Sequence, residues 1–147
     1  MEEDEYRSTY KELADVRCVF EKALTNHRAK CALARHFCLA DREGYSCQSV
    51  EASQKCSELL RTLRENSIFA LKLREIDGPL PHNMEIRVQA GGLTGLVKLF
   101  DQVNTPPEDI SRLLAQVQEK YGSLENLPYS EIIQSVVQFQ GRQRKRR

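Results

Sequence analysis

The chain lacks any long apolar run, and nothing in it is built to span a membrane. Nor does its start read as a secretory leader. The N-terminus MEEDEYRSTY is acidic and has neither a basic n-region nor an apolar h-region. Those two absences lead to the expectation of a cytoplasmic protein. In a reducing compartment an odd set of five cysteines reads as thiols or metal ligands rather than as a disulfide framework.

Several signatures of chemistry are missing as well. No His-Glu-x-x-His occurs, and no Glu-x-x-His pair of a di-iron bundle. The glycine-rich stretch Ala90 to Gly95 (AGGLTG) is followed by no Gly-Lys-Ser/Thr and is not GxGxxG, so it serves a turn and a close helix approach rather than a phosphate. No nucleophile–base–acid constellation stands out, which argues against a hydrolase or a transferase. Finally, no two cysteines form the C-x2-4-C pair that brings thiolates onto one zinc ion.

What is present is a chain of 147 residues, 40% hydrophobic and 29% charged. That suits one helical domain over residues 1–140 with its own core. The last seven residues, GRQRKRR, form a basic disordered tail. Its cations are Arg142, Arg144, Lys145, Arg146 and Arg147, whereas the whole chain is only +1, so the body is mildly acidic. Such a tail attracts phosphate backbones through counterion release, without sequence specificity, or docks on an acidic protein.

The periodicity predicts a mainly α fold. Tyr10, Leu13, Phe20, Leu24, His27, Cys31, Ala34 and Cys38 recur at 3–4 spacing, which predicts a helix over residues 5–42, with Thr25-Asn26-His27 its weakest point. Ser49 is placed as the N-cap of a second helix reaching about Lys72. The two form an N-terminal antiparallel helical hairpin, packed with three shorter C-terminal helices. Asp77 to His82 (DGPLPH) is a break. Met84, Ile86 and Val88 alternate as in one short strand. Three further helices are expected: Leu93 to Asp101, one over about 106–121 from the capping pattern Thr105-Pro-Pro-Glu108 to Gly122, and one over 129–140.

The candidate site is Cys18, Cys31, Cys38, Cys47 and Cys56, five cysteines within 39 residues and none downstream. That clustering points to metal binding, and the wide spacing favours a [4Fe–4S] cluster over zinc, because each corner iron of a cluster takes one thiolate. Four ligands are needed, so one of the five is a bystander. On the helical-hairpin reading Cys38, Cys47 and Cys56 meet at its tip. Cys31 joins if the first helix ends early, and Cys18 joins if the chain bends at Asn26. His36, one turn from Cys38 on that reading, is a candidate to substitute for one of the thiols.

The function expected from this is an electron-transfer accessory, a redox sensor or an adaptor with a protein partner. The alternative is a nucleic-acid or ribonucleoprotein accessory that works through the tail, its cysteines being small core residues.

Overall fold

The computed structural model describes residues 3–5, 7–8, 16–71, 81–100 and 107–139. The basic tail and the link at 72–80 lie outside them, as do Tyr10, Leu13 and Thr105.

The expected N-terminal helical hairpin is not what forms. A short helix, α1 (Glu21–Thr25), stops at Asn26. His27 then takes a left-handed φ of 58° and reverses the chain. Two antiparallel strands follow, β1 (Ala34–Leu39) and β2 (Arg42–Cys47), in register from Ala34↔Cys47 to Leu39↔Arg42. Only Ala40 and Asp41 join them, with φ of 50° and 66°. Positive φ at both central residues matches the right-handed strand twist, which is why two-residue hairpins adopt this turn. The sheet overturns the prediction of at most one short strand.

The first long helix is therefore α2 (Val50–Ala70). It starts where Ser49 Oγ accepts the Ala52 N–H at 3.1 Å. Leu59, Leu60, Leu63 and Ser67 form its buried seam. Cys56 lies one turn before Leu59 and Leu60 on the same face, at the end of α2 nearer the sheet.

Met84, Ile86 and Val88 are helical, not a strand. They belong to α3 (His82–Lys98), which also absorbs most of the helix expected over 93–101. The buried face of α3 includes Glu85, Val88 and Gln89, so its helical period is carried partly by polar residues. Two glycines let α3 approach a neighbour closely. A Cβ on Gly91 would lie 2.7 Å from Val136 Cα, and one on Gly95 would lie 2.7 Å from the Ile132 carbonyl oxygen. Only glycine permits backbones this near each other.

The neighbour is α5 (Tyr129–Gln138), close to the helix predicted over 129–140. Between them in the chain runs α4 (Ile110–Tyr121). It starts later than the Thr105-Pro-Pro-Glu108 pattern implies, because its N-cap is Asp109, whose side chain accepts from Ser111 N at 3.2 Å and Ser111 Oγ at 2.7 Å. Gly122, at φ 86°, ends it as expected. The core gathers Phe20 and Leu24 of the N-terminal segment, Leu59 and Leu63 of α2, Leu93 and Leu96 of α3, Val117 of α4, and Ile132 and Val136 of α5. No helix among the described residues is long and apolar enough to cross a membrane.

Candidate metal centre

Four separate pieces of backbone bring four cysteines to one place. The first is residues 16–18, which run alongside β2. The Cys47 N–H donates to the Val16 carbonyl at 2.7 Å, and the Cys18 N–H donates to the Tyr45 carbonyl at 3.0 Å. The Glu21 carboxylate closes this turn by accepting from Arg17 Nε at 3.1 Å, from Arg17 Nη2 at 3.0 Å and from the Tyr45 N–H at 3.5 Å. Cys18 is thereby fixed at the edge of the sheet.

The second piece is the loop before β1. Both neighbours of Cys31 are tied to the start of α4. The Lys30 N–H donates to the Pro107 carbonyl at 3.0 Å, the Lys30 carbonyl accepts from Ile110 N–H at 2.9 Å, and the Ala32 N–H donates to Asp109 Oδ1 at 3.0 Å. Burial would raise the Asp109 carboxyl, but the donors from Ala32, Ser111 and Arg112 hold it below its ordinary value. Cys31 thus sits between two anchored residues. The third piece is the end of β2, where the Cys47 thiol donates to the Ser49 carbonyl at 3.2 Å. The fourth is α2, which carries Cys56.

Cys18, Cys31, Cys47 and Cys56 line one cavity of about 240 Å³. Phe20, Leu33, Ile110 and Leu114 supply apolar wall, and Lys55 Nζ reaches Gln118 Oε1 at 3.3 Å between α2 and α4. Burial pushes the Cys18 thiol up to about 12. The Phe20 N–H on its sulfur opposes that rise, and Cys31, Cys47 and Glu21 add to it. Burial likewise pushes Cys56 to about 12, reinforced by Cys18, Cys31 and Cys47. The four sulfurs therefore feel one another electrostatically in a partly desolvated space.

Cys38 is not among them. It lies exposed in β1, opposite Glu43. It shares a strand face with Ala34, which lines the cavity, but stands four residues nearer the hairpin turn, about 13 Å along the strand, and the expected meeting of Cys38, Cys47 and Cys56 does not occur. His36 is also outside, with its Nε2 3.6 Å from Glu43 Oε1 and its ring 5.0 Å from that of Tyr45. His27, expected on a core seam, is exposed in the turn after α1. The conditions set for admitting Cys18 and Cys31 belong to a long first helix that does not form: α1 ends at Thr25 and the chain turns at Asn26 and His27.

Sequence reasoning misses the contribution of α4. Asp109 and Gln118 reach the site across a separation that carries no local signal. Among the described residues, no three or more His, Cys, Asp or Glu side chains are drawn together as tightly as a bare metal ion requires. Comparison with protein-family models, with curated proteins and with solved structures finds no match to this chain.

The thiols carry a pH dependence. Cys18 and Cys56 titrate at about 12 in the fold against an ordinary value of 9.0. Above pH 9 the unfolded chain binds fewer protons than the folded one, so stability is full below pH 9 and falls as pH rises toward 12. Each thiol contributes a slope of about 1.4 kcal/mol per pH unit in that window. Urea unfolding of the metal-free, reduced protein should lose stability steadily from pH 9 upward. A Cys18→Ser, Cys56→Ser double variant should flatten that loss, and equal slopes in both proteins would contradict the assignment.

Proposed function

We propose that this protein is a small iron–sulfur protein that holds a [4Fe–4S] cluster on Cys18, Cys31, Cys47 and Cys56, and that it works as an electron carrier or redox sensor. One observation carries the reading: four of five thiols, from four different chain segments, converge on one cavity while the fifth stands exposed nearer the hairpin turn. Cysteines that serve only as small core residues scatter over the buried seams, whereas these four are half-buried and border one half-open cleft.

The spread of the thiols favours a cluster over zinc. The sulfurs are spread too widely for one ion with bonds of about 2.3 Å, but a cluster places each thiolate on its own corner iron. Binding removes protons from thiols that otherwise hold them well above neutral pH, so loading releases protons and weakens in acid. The Phe20 N–H already aimed at Cys18 favours the thiolate, and hydrogen bonds of this kind tune a cluster's potential.

The direct test is anaerobic purification followed by absorption spectroscopy and metal analysis. The expected sample is brown, absorbs broadly near about 400 nm, and contains four irons and four sulfides per chain. A colourless protein that stays colourless after anaerobic reconstitution with iron and sulfide would overturn the proposal. One zinc per chain with no iron would replace the cluster with the runner-up metal.

A further inference from the structure

A second cavity shares no residue with the thiol cavity and has a different chemistry. It is a cleft of about 940 Å³ between the turn after α1 and the start of α3, with Phe139 at its rim. Small-molecule sites span roughly 300–1,000 Å³, so the cleft is large enough for an organic ligand. His27, Arg28, His82 and Arg87 line it, and no carboxylate does. Met84 and Phe139 supply apolar wall.

Both guanidiniums are held in place without being neutralised. That of Arg28 lies 5.1 Å from the centroid of the Phe139 ring. Arg87 donates Nε to the Val136 carbonyl at 2.8 Å and a second bond to the Val137 carbonyl. Those partners carry no charge, and neither arginine has an ion pair among the described residues. Two half-buried cations on one cleft repel each other, and an anion between them relieves that repulsion.

The backbone adds charge of the same sign. His82, Asn83 and Met84, the first three residues of the 17-residue helix α3, all line the cleft. No side chain caps this helix start, and the Glu85 N–H bonds back to the Pro81 carbonyl at 2.8 Å. The acidic group of that first turn, Glu85, is engaged by Arg64. The positive end of the α3 dipole is therefore left to the cleft.

We infer that this cleft binds a phosphate monoester of small-molecule size, with the phosphate between Arg28 and Arg87 at the start of α3 and the organic body against Met84 and Phe139. A phosphate monoester carries about two negative charges near neutral pH, which two guanidiniums match. The planar guanidinium fork also fits phosphate oxygens in pairs. The apolar wall is what distinguishes such an ester from inorganic phosphate. The site does not depend on the metal centre.

The test titrates the isotope-labelled, full-length chain with AMP, adenosine and inorganic phosphate and follows NMR chemical shifts. AMP should move the amides of residues 26–28 and 82–87 and saturate, with adenosine and inorganic phosphate each binding about tenfold more weakly or less. Arg28→Gln should weaken AMP binding about tenfold, the effect of one lost hydrogen bond to a charged group, and Arg28→Lys should keep most of it. His27→Asp, at an exposed position that already has positive φ, places a carboxylate in the cleft and should weaken AMP as well. Melting curves of each variant separate loss of fold from loss of the site. Unchanged AMP affinity in correctly folded Arg28→Gln and His27→Asp, or AMP shifts confined to residues away from the cleft, would overturn the inference. Inorganic phosphate binding as tightly as AMP would overturn it in favour of an inorganic-anion site.

Discussion

Replacing Cys18, Cys31, Cys47 or Cys56 by serine, one at a time, should abolish or sharply reduce cluster loading, while Cys38→Ser should leave iron content and spectrum at the level of the unchanged chain. The asymmetry follows from placement. The four lining thiols stand around one cavity, and Cys38 is exposed on β1 opposite Glu43. Serine keeps the size of the side chain but is a far weaker donor to iron than a thiolate, so each single change removes one corner of the site. Iron and sulfide per chain, measured after identical anaerobic reconstitution, decide the matter. A Cys38→Ser protein that loses its iron as completely as Cys56→Ser would show that its distance along β1 does not exclude Cys38. Equal retention in all five variants would remove the thiol site altogether.

The second large effect is structural and lies beside the site. Glu85 is 1% exposed and sits on the buried face of α3. Arg64 of α2 donates to both of its carboxylate oxygens, from Nε at 3.1 Å and more closely from Nη2, and Gln89 Nε2 donates at 3.0 Å. Gln89 Oε1 then accepts the Ala23 N–H at 3.2 Å, which ties α1 into the same network. Arg64→Ala strips the guanidinium from a buried carboxylate. Its cost should be about 3 kcal/mol or more, a fall in melting temperature of about 10 °C for a chain of this size. Glu85→Gln should cost less, because the abandoned guanidinium is partly exposed and can find water. Paired Arg64→Met and Glu85→Leu should recover most of the loss. Thermal denaturation of these proteins tests the ranking, and a milder effect for Arg64→Ala than for Glu85→Gln would refute it.

This network explains why α3 is illegible in the sequence. Periodicity is read from apolar residues, and two of the residues that face the core are Glu85 and Gln89. Taken out of the pattern, they leave Met84, Ile86 and Val88 alternating like a strand. The hairpin is hidden for a different reason. Ala34 and Cys38 continue a helical spacing from Cys31, and the turn is Ala40-Asp41 rather than the Asn-Gly that announces such hairpins. Only the pairing with β2 makes residues 34–39 a strand, and pairing is not a local property. By contrast α2 is plain, because Ser49 caps it through its own side chain and leucines mark its seam. The end of α4 is plain too, since Gly122 sits at positive φ.

The same distinction separates what can and cannot be read of the site. Cysteine density announces it. Membership depends on where along the hairpin each thiol stands and on where α1 stops, and neither is written in the spacing that groups Cys38 with Cys47 and Cys56. The support given to Cys31 by Asp109 spans 77 residues and has no signature in either neighbourhood.

That long-range tie has a consequence for how the protein is made. All four lining thiols have left the ribosome by Cys56, but the wall supplied by α4 ends at Gln118, some sixty residues later in the chain. At translation rates of about 5–20 residues per second, the thiols wait several seconds before the loop carrying Cys31 can be pinned. Throughout that interval they are reactive groups without a pocket. Iron inserted then would meet ligands still free to misassign, with Cys38 competing on equal terms. If the proposed cluster is held there, its recipient is the chain with α4 in place rather than the nascent one.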